Sequence, residues 1–256
     1  MGVVFAFTLA FAAISALQYV DYWLGIAASL VTYLLVPLLV GGVVAMAAEA
    51  VSGRTDLDTF RAAATSNYLG LVAGFLLVGV VVFVVYLVFV VLFLVVGLAA
   101  FGLGSAAGAA GMAGSLVVLV LGGLVGFVVV LLPAFLSQFF PAAYVIDDLK
   151  LTDAFRRSVG LIRGNVLSVL GFDAVGFVVY LVSMVPVVLL FAFAVDYDAL
   201  SEQATTGGAS MLATLSPTEF GAFLVASVVV GTVVGSFVYT YYAAFYVSVT
   251  RPSASL

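Results

Sequence analysis

Six long apolar runs, separated by short polar stretches, constrain this chain more than any other feature: approximately residues 2–20, 24–48, 68–101, 115–140, 166–195 and 219–249. A helix needs about 20 mostly apolar residues to cross a hydrocarbon core of roughly 30 Å, and in lipid a spanning backbone must satisfy its own hydrogen bonds. The expected fold is therefore all-α: one integral membrane domain over 1–256, a polytopic helical bundle of about six transmembrane helices. Composition agrees, with 66% hydrophobic and only 7% charged residues and a mean hydropathy of +1.40, where soluble domains carry about 25% charge. Residues 1–20 read as a first span rather than a signal peptide, because they carry no basic n-region. The third run, about 51 Å long as a helix, must tilt or project beyond the bilayer. The Gly/Ala-rich stretch 102–114 reads as the loop that follows it.

Charge placement orients the bundle. The seven basic residues are Arg54, Arg61, Lys150, Arg156, Arg157, Arg163 and Arg251, and with six crossings all of them fall on one side. By the positive-inside rule that side is cytoplasmic, which places both termini inside a multi-pass protein of the cell membrane. Asp21, Asp196, Asp198, Glu202 and Glu219 fall on the other side.

A short motif recurs. Asp58-Thr59-Phe60-Arg61 returns as Asp153-Ala154-Phe155-Arg156, 95 residues on, each copy followed by an asparagine (Asn67, Asn165) and preceded by a proline (Pro37, Pro133). Two crossings lie between the copies, so they predict a parallel repeat, about 24–101 and 115–195, of helix, cytoplasmic connector, helix. In the second connector Leu151, Phe155, Val159, Ile162 and Val166 recur at helical spacing. The predicted segment is amphipathic and lies in the headgroup plane, its stripe in the acyl boundary and its arginines on phosphates. Arg156, Arg157, Arg163 and Arg61 are accordingly the candidate contacts to anionic lipid or a protein partner.

The run Val145-Ile146-Asp147-Asp148-Leu149-Lys150-Leu151-Thr152-Asp153-Ala154-Phe155-Arg156-Arg157-Ser158, continuing to Asn165, resembles a signature of uncharacterised six-helix membrane proteins of salt-loving archaea. These are similar to the membrane domain attached to some bacterial glycerophosphodiester phosphodiesterases. The resemblance covers residues from about 24 to 249 and implies the membrane part alone, since the phosphodiesterase chemistry belongs to a separate soluble barrel with catalytic histidines. It brings no catalytic residue with it.

The chain has neither histidine nor cysteine, which removes the usual zinc and haem ligands, thiol and imidazole catalysis, and disulfides. No cofactor or metal is expected. Asp196, Asp198 and Glu202 lack the order of a calcium loop and read as a solvated acidic face, and no basic surface suits nucleic acid. Ionisable residues within spans are the default pointers to ligand or ion paths. Here the candidates are Asp173, expected at the cytoplasmic boundary beside an arginine, with Gln138 bonding across helices and Glu49 near the interface. Five GxxxG pairs, at Gly70, Gly104, Gly122, Gly160 and Gly231, predict close helix packing within the chain. Tyr239, Tyr241, Tyr242, Phe245 and Tyr246 read as an interfacial aromatic belt. The expected function is a non-enzymatic membrane protein engaging anionic lipid or a partner subunit, membrane or cytoplasmic, through its amphipathic connectors. A small transporter with a site between the repeats is the alternative. A lipid enzyme would have only acids such as Glu49, Asp147 and Asp148 to work with.

Overall fold

The computed structural model describes residues 1–20, 22–51, 53, 55–194 and 216–251. Among them the chain is helical, without a strand: α1 (Gly2–Val20), α2 (Tyr22–Val51), α3 (Leu57–Ser66), α4 (Tyr68–Ala106), α5 (Gly108–Ser137), α6 (Phe140–Ile146), α7 (Leu151–Gly164), α8 (Val166–Ala194) and α9 (Pro217–Thr250). Five segments are long and apolar enough to cross a membrane: Ile26–Val51, Tyr68–Ala106, Gly108–Ile146, Val166–Pro186 and Pro217–Thr250. The first predicted run is the 19-residue helix α1. Arg54 and the acidic residues Asp21, Asp196, Asp198 and Glu202 lie outside the described residues.

The stretch 102–114 is not the loop that its glycines suggest. Helix α4 continues to Ala106, and Gly108, at φ 71°, turns the chain directly into α5. Only glycine adopts that left-handed conformation at no steric cost, and the Ala107 N–H closes the helix end on the Leu103 and Gly104 carbonyls. Most of the stretch is alanine and glycine, so the backbones approach closely: a Cβ on Gly111 would lie 2.5 Å from the Gly104 carbonyl oxygen. Ser115 crosses the same gap, its hydroxyl donating to the Ala100 carbonyl at 2.6 Å. The hairpin is long, since the 39 residues of α4 span about 58 Å, well beyond a bilayer core.

Helix α2 is the centre of the bundle, touching α1, α3, α4, α6 and α9, while α8 packs on α9. Glycine pairs mark these seams. Gly70 and Gly74 receive Tyr144 and Phe140, and Gly231 and Gly235 receive Thr8 and Val4, but Gly160 and Gly164 face open space. Helices α3 and α7 are the short helices of the two connectors. Both end on an asparagine whose amide donates back to the preceding turn, Asn67 to the Ala63 carbonyl at 3.0 Å and Asn165 to that of Leu161 at 3.1 Å.

Replacing Gly111 by Ala should drive a methyl into the Gly104 backbone and destabilise the hairpin, an overpacking cost of about 1–3 kcal/mol. Gly160→Ala, with nothing within 4 Å of the new carbon, should be neutral or stabilise α7 by up to about 1 kcal/mol. Thermal unfolding in detergent should give opposite or clearly unequal shifts.

Candidate functional site

Pro141 has no N–H to give the Ser137 carbonyl, and its ring crowds that oxygen, which weakens the helix that began at Gly108 at this point. It breaks at Gln138 and Phe139, between α5 and α6. Two hydroxyls from other helices enter the break. Ser158 of α7, fully buried, accepts from the Phe139 N–H at 3.1 Å and donates to the Leu136 carbonyl at 2.9 Å. Tyr242 of α9 accepts from the Ala142 N–H at 3.3 Å and donates to the Gln138 carbonyl at 2.9 Å. The Tyr242 hydroxyl stands where the rung from the Ala142 N–H to the Gln138 carbonyl would be, and Ser158 bridges a donor and an acceptor of two neighbouring rungs. Such insertion is a recognised cause of helix kinks.

The break throws Phe139 inward, where it is completely buried and stacks on Tyr242 and Phe245, with ring centres 5.6 Å apart in each pair. Phe172 of α8 joins through Phe245 and Tyr241. The tyrosines of α9 are therefore core residues, contrary to the belt expected of them: Tyr246 is fully buried and none of the five is exposed. Burying these rings around the broken helix is favoured where the hydroxyl finds a protein partner, as those of Tyr242 and Tyr246 do.

Beside this stack lies a cavity of about 510 Å³, with Val40 of α2, Phe75 of α4, Gln138 at the break, Asp173 of α8 and Tyr239 and Tyr242 of α9 in its wall. Asp173 is half-buried, and Gln138 Nε2 donates to its Oδ2 at 3.3 Å. The arginine expected beside Asp173 is absent: no Lys or Arg nitrogen lies within 4 Å of it among the described residues. The helix break explains this, since it turns Gln138 towards α8 while the basic residues stay at the bundle's end. The grooves between α2 and α4 and between α4 and α5 contain no ionisable group among the residues that line them, tyrosine aside. Glu49, on the last turn of α2 with Oε2 buried, does not line the cavity.

At one end of the bundle Asp147, mostly buried, receives three partners. The Tyr246 hydroxyl donates to Oδ2 at 2.5 Å, Arg157 lies 3.9 Å away and Arg251 3.6 Å away. This links the α6–α7 connector to the end of α9. Arg157 and Arg156 are both exposed; Arg157 reaches across to Asp147, while Arg156 is bonded to Asp153 on its own helix at 3.5 Å. Arg61 and Arg163 are exposed, with no carboxylate within 4 Å among the described residues.

Helix α7 is amphipathic, and the face it buries centres on Ala154, Ser158, Leu161 and Ile162. Of the stripe read from the sequence Ile162 lies in it, Leu151, Phe155 and Val159 are half-buried at its edge, and Val166 is exposed. That face presses on the broken helix, where small residues allow close approach, and Phe155 stacks on Phe140 at 4.6 Å. The apolar side of α7 is therefore held by protein rather than free for acyl chains. Sequence reasoning missed Ser158, Tyr242 and the Asp147–Arg251 pair. The spacing of Tyr239, Tyr242 and Tyr246, by three and four residues, is the one local signal of a common face.

Ser158→Ala should leave the Phe139 N–H and the Leu136 carbonyl unpaired in the core, at about 1–3 kcal/mol each. Tyr242→Phe should cost less, because the Ala142 N–H and the Gln138 carbonyl can then close on each other. Unfolding in detergent and faster amide exchange at Phe139 in Ser158→Ala would verify this order.

The chain belongs to the DUF7847 family, a domain of unknown function, whose match covers residues 1–249. No curated protein and no solved structure matches it.

Proposed function

We propose that this DUF7847 protein is a non-enzymatic, multi-pass protein of the cell membrane that engages anionic lipid, or a partner subunit, through the exposed arginines of α3 and α7. The observation that carries the reading is the division of labour among its cations. Arg157 and Arg251 reach Asp147 on another element, whereas among the described residues Arg156 pairs only within α7 and Arg61 and Arg163 have no carboxylate within 4 Å. All five arginines are exposed. A cation at an anionic leaflet contributes about 1 kcal/mol. Because α7 is anchored by its buried face, its arginines are presented at a fixed height without inserting the helix into lipid.

The positive-inside rule supports six crossings with both termini and the short helices on the cytoplasmic side. The native chain has no cysteine, so single replacements report cleanly. Ser105→Cys, at the tip of the α4–α5 hairpin, should react with an impermeant thiol reagent in intact cells, and Thr55→Cys should not. The run from Val145 to Asn165 supports the finer kinship with membrane proteins of salt-loving archaea and with the membrane domain of some glycerophosphodiester phosphodiesterases. On that reading the chain corresponds to the membrane part of such enzymes.

Purified protein carrying Arg61→Gln, Arg156→Gln and Arg163→Gln together should retain less anionic lipid in native mass spectrometry, by about 1 kcal/mol of affinity per cation removed. Arg157→Gln should instead lower thermal stability, with lipid retention little changed. Undiminished anionic-lipid occupancy in a correctly inserted triple variant would reject the lipid reading.

A second reading, a small transporter, is favoured by one feature: the broken helix lies beside a cavity walled by both long–short–long segments. Discontinuous helices next to an intramembrane site, and parallel repeats, recur in transporters.

A further inference from the structure

We propose that the cavity around Asp173 binds an amphipathic organic cation, with the Asp173 carboxylate as its counter-ion and Gln138 as the side chain that orients that carboxylate. The proposal concerns binding alone and rests on neither the lipid reading nor transport.

The cavity, about 510 Å³, lies within the size range of small-molecule sites, which combine apolar walls with a few placed polar groups. Asp173 is its one acidic residue, and no basic residue lines it. A carboxylate held among apolar side chains carries a desolvation cost that a positive guest offsets, whereas an anion would be repelled. A neutral hydrocarbon would gain nothing from it. A hard metal ion is a poor fit as well, since calcium or magnesium needs about six oxygen ligands and the wall supplies one carboxylate and one side-chain amide besides tyrosine hydroxyls. An organic ammonium or phosphonium needs one counter-charge and an apolar, aromatic surround.

That surround is present. Phe172, Tyr239 and Tyr242 line the cavity, and aromatic faces attract organic cations. The Gln138 amide donates to Oδ2, which leaves Oδ1 to meet the guest. The position of Gln138 is set in turn by the helix break, because its backbone carbonyl is the acceptor for Tyr242. Tyr180, at the cavity wall, is exposed and marks a side from which a guest can enter. A lipid headgroup bearing an ammonium shares this chemistry with a free organic cation.

The probe is tetraphenylphosphonium, with tetraphenylborate as the anion of the same shape, titrated calorimetrically into the full chain in non-ionic micelles after subtraction of empty micelles. The phosphonium should bind saturably and the borate should not. Asp173→Asn should weaken phosphonium binding by roughly 10- to 100-fold, the range expected on loss of a charged partner. Gly176→Leu should do the same by occupying the cavity, since a Cβ there meets nothing within 4 Å and the fold can accept it. Arg163→Gln should bind as the native protein does. Competition by added phosphatidylethanolamine would identify a lipid ammonium as the source of the ligand, and its absence a free cation. Equal binding of both probes, no saturable phosphonium binding, or native affinity in Asp173→Asn would overturn the proposal. Should Asp173→Asn fail to fold, native affinity in Gly176→Leu would overturn it equally.

Discussion

The break between α5 and α6 is the point on which the remaining packing depends. A proline in a membrane helix leaves a carbonyl without its donor, in a medium where no water can replace it. Here the surrounding rungs are supplied by Ser158 and Tyr242, from helices distant in sequence. Because each hydroxyl must sit between two backbone groups, the break fixes the positions of α7 and α9 against it. The buried Phe139 then collects the aromatic rings of α8 and α9 into one cluster. Fold and candidate site share this origin: the same turn of backbone that seats Phe139 directs Gln138 at Asp173.

The electrostatics divide along the bundle. At one end Asp147 is paired with two arginines and a tyrosine, so the connector and the last helix are joined by charge as well as by packing. In the cavity wall Asp173 is the one acidic residue among the described residues, with no Lys or Arg nitrogen within 4 Å of it there, and it accepts from the neutral Gln138 amide. Arg61 and Arg163, with no carboxylate within 4 Å among the described residues, are exposed on α3 and α7.

Much of the architecture was legible in the sequence. Hydropathy and length located the long helices, because a run of twenty apolar residues has few other fates, and the spacing of apolar residues in the second connector announced a short helix there. The α4–α5 hairpin was harder to read. Glycine-rich sequence signals a loop in water, but between two apolar helices the same residues remove side chains from a seam and let the backbones close. The buried face of α7 was read only in part for a related reason: periodicity follows the largest apolar residues, which placed Ile162 correctly, while Ala154 and Ser158, which touch the core, are small or polar. The tyrosines of α9 were assigned to an interface by composition, though their spacing already placed three of them on one face.

What the sequence determined by itself was the fold class and the inventory of chemistry: apolar helices, no histidine or cysteine, and few charges within the spans. These follow from composition and periodicity, which are local properties. Only the tertiary structure decided which polar groups meet. Gln138 and Asp173 are 35 residues apart, Phe139 and Ser158 19, and Asp147 and Tyr246 99, and no periodicity links them. Their partnerships arise because a broken helix must satisfy its backbone from whatever hydroxyls the bundle brings alongside, and that depends on packing across the whole chain.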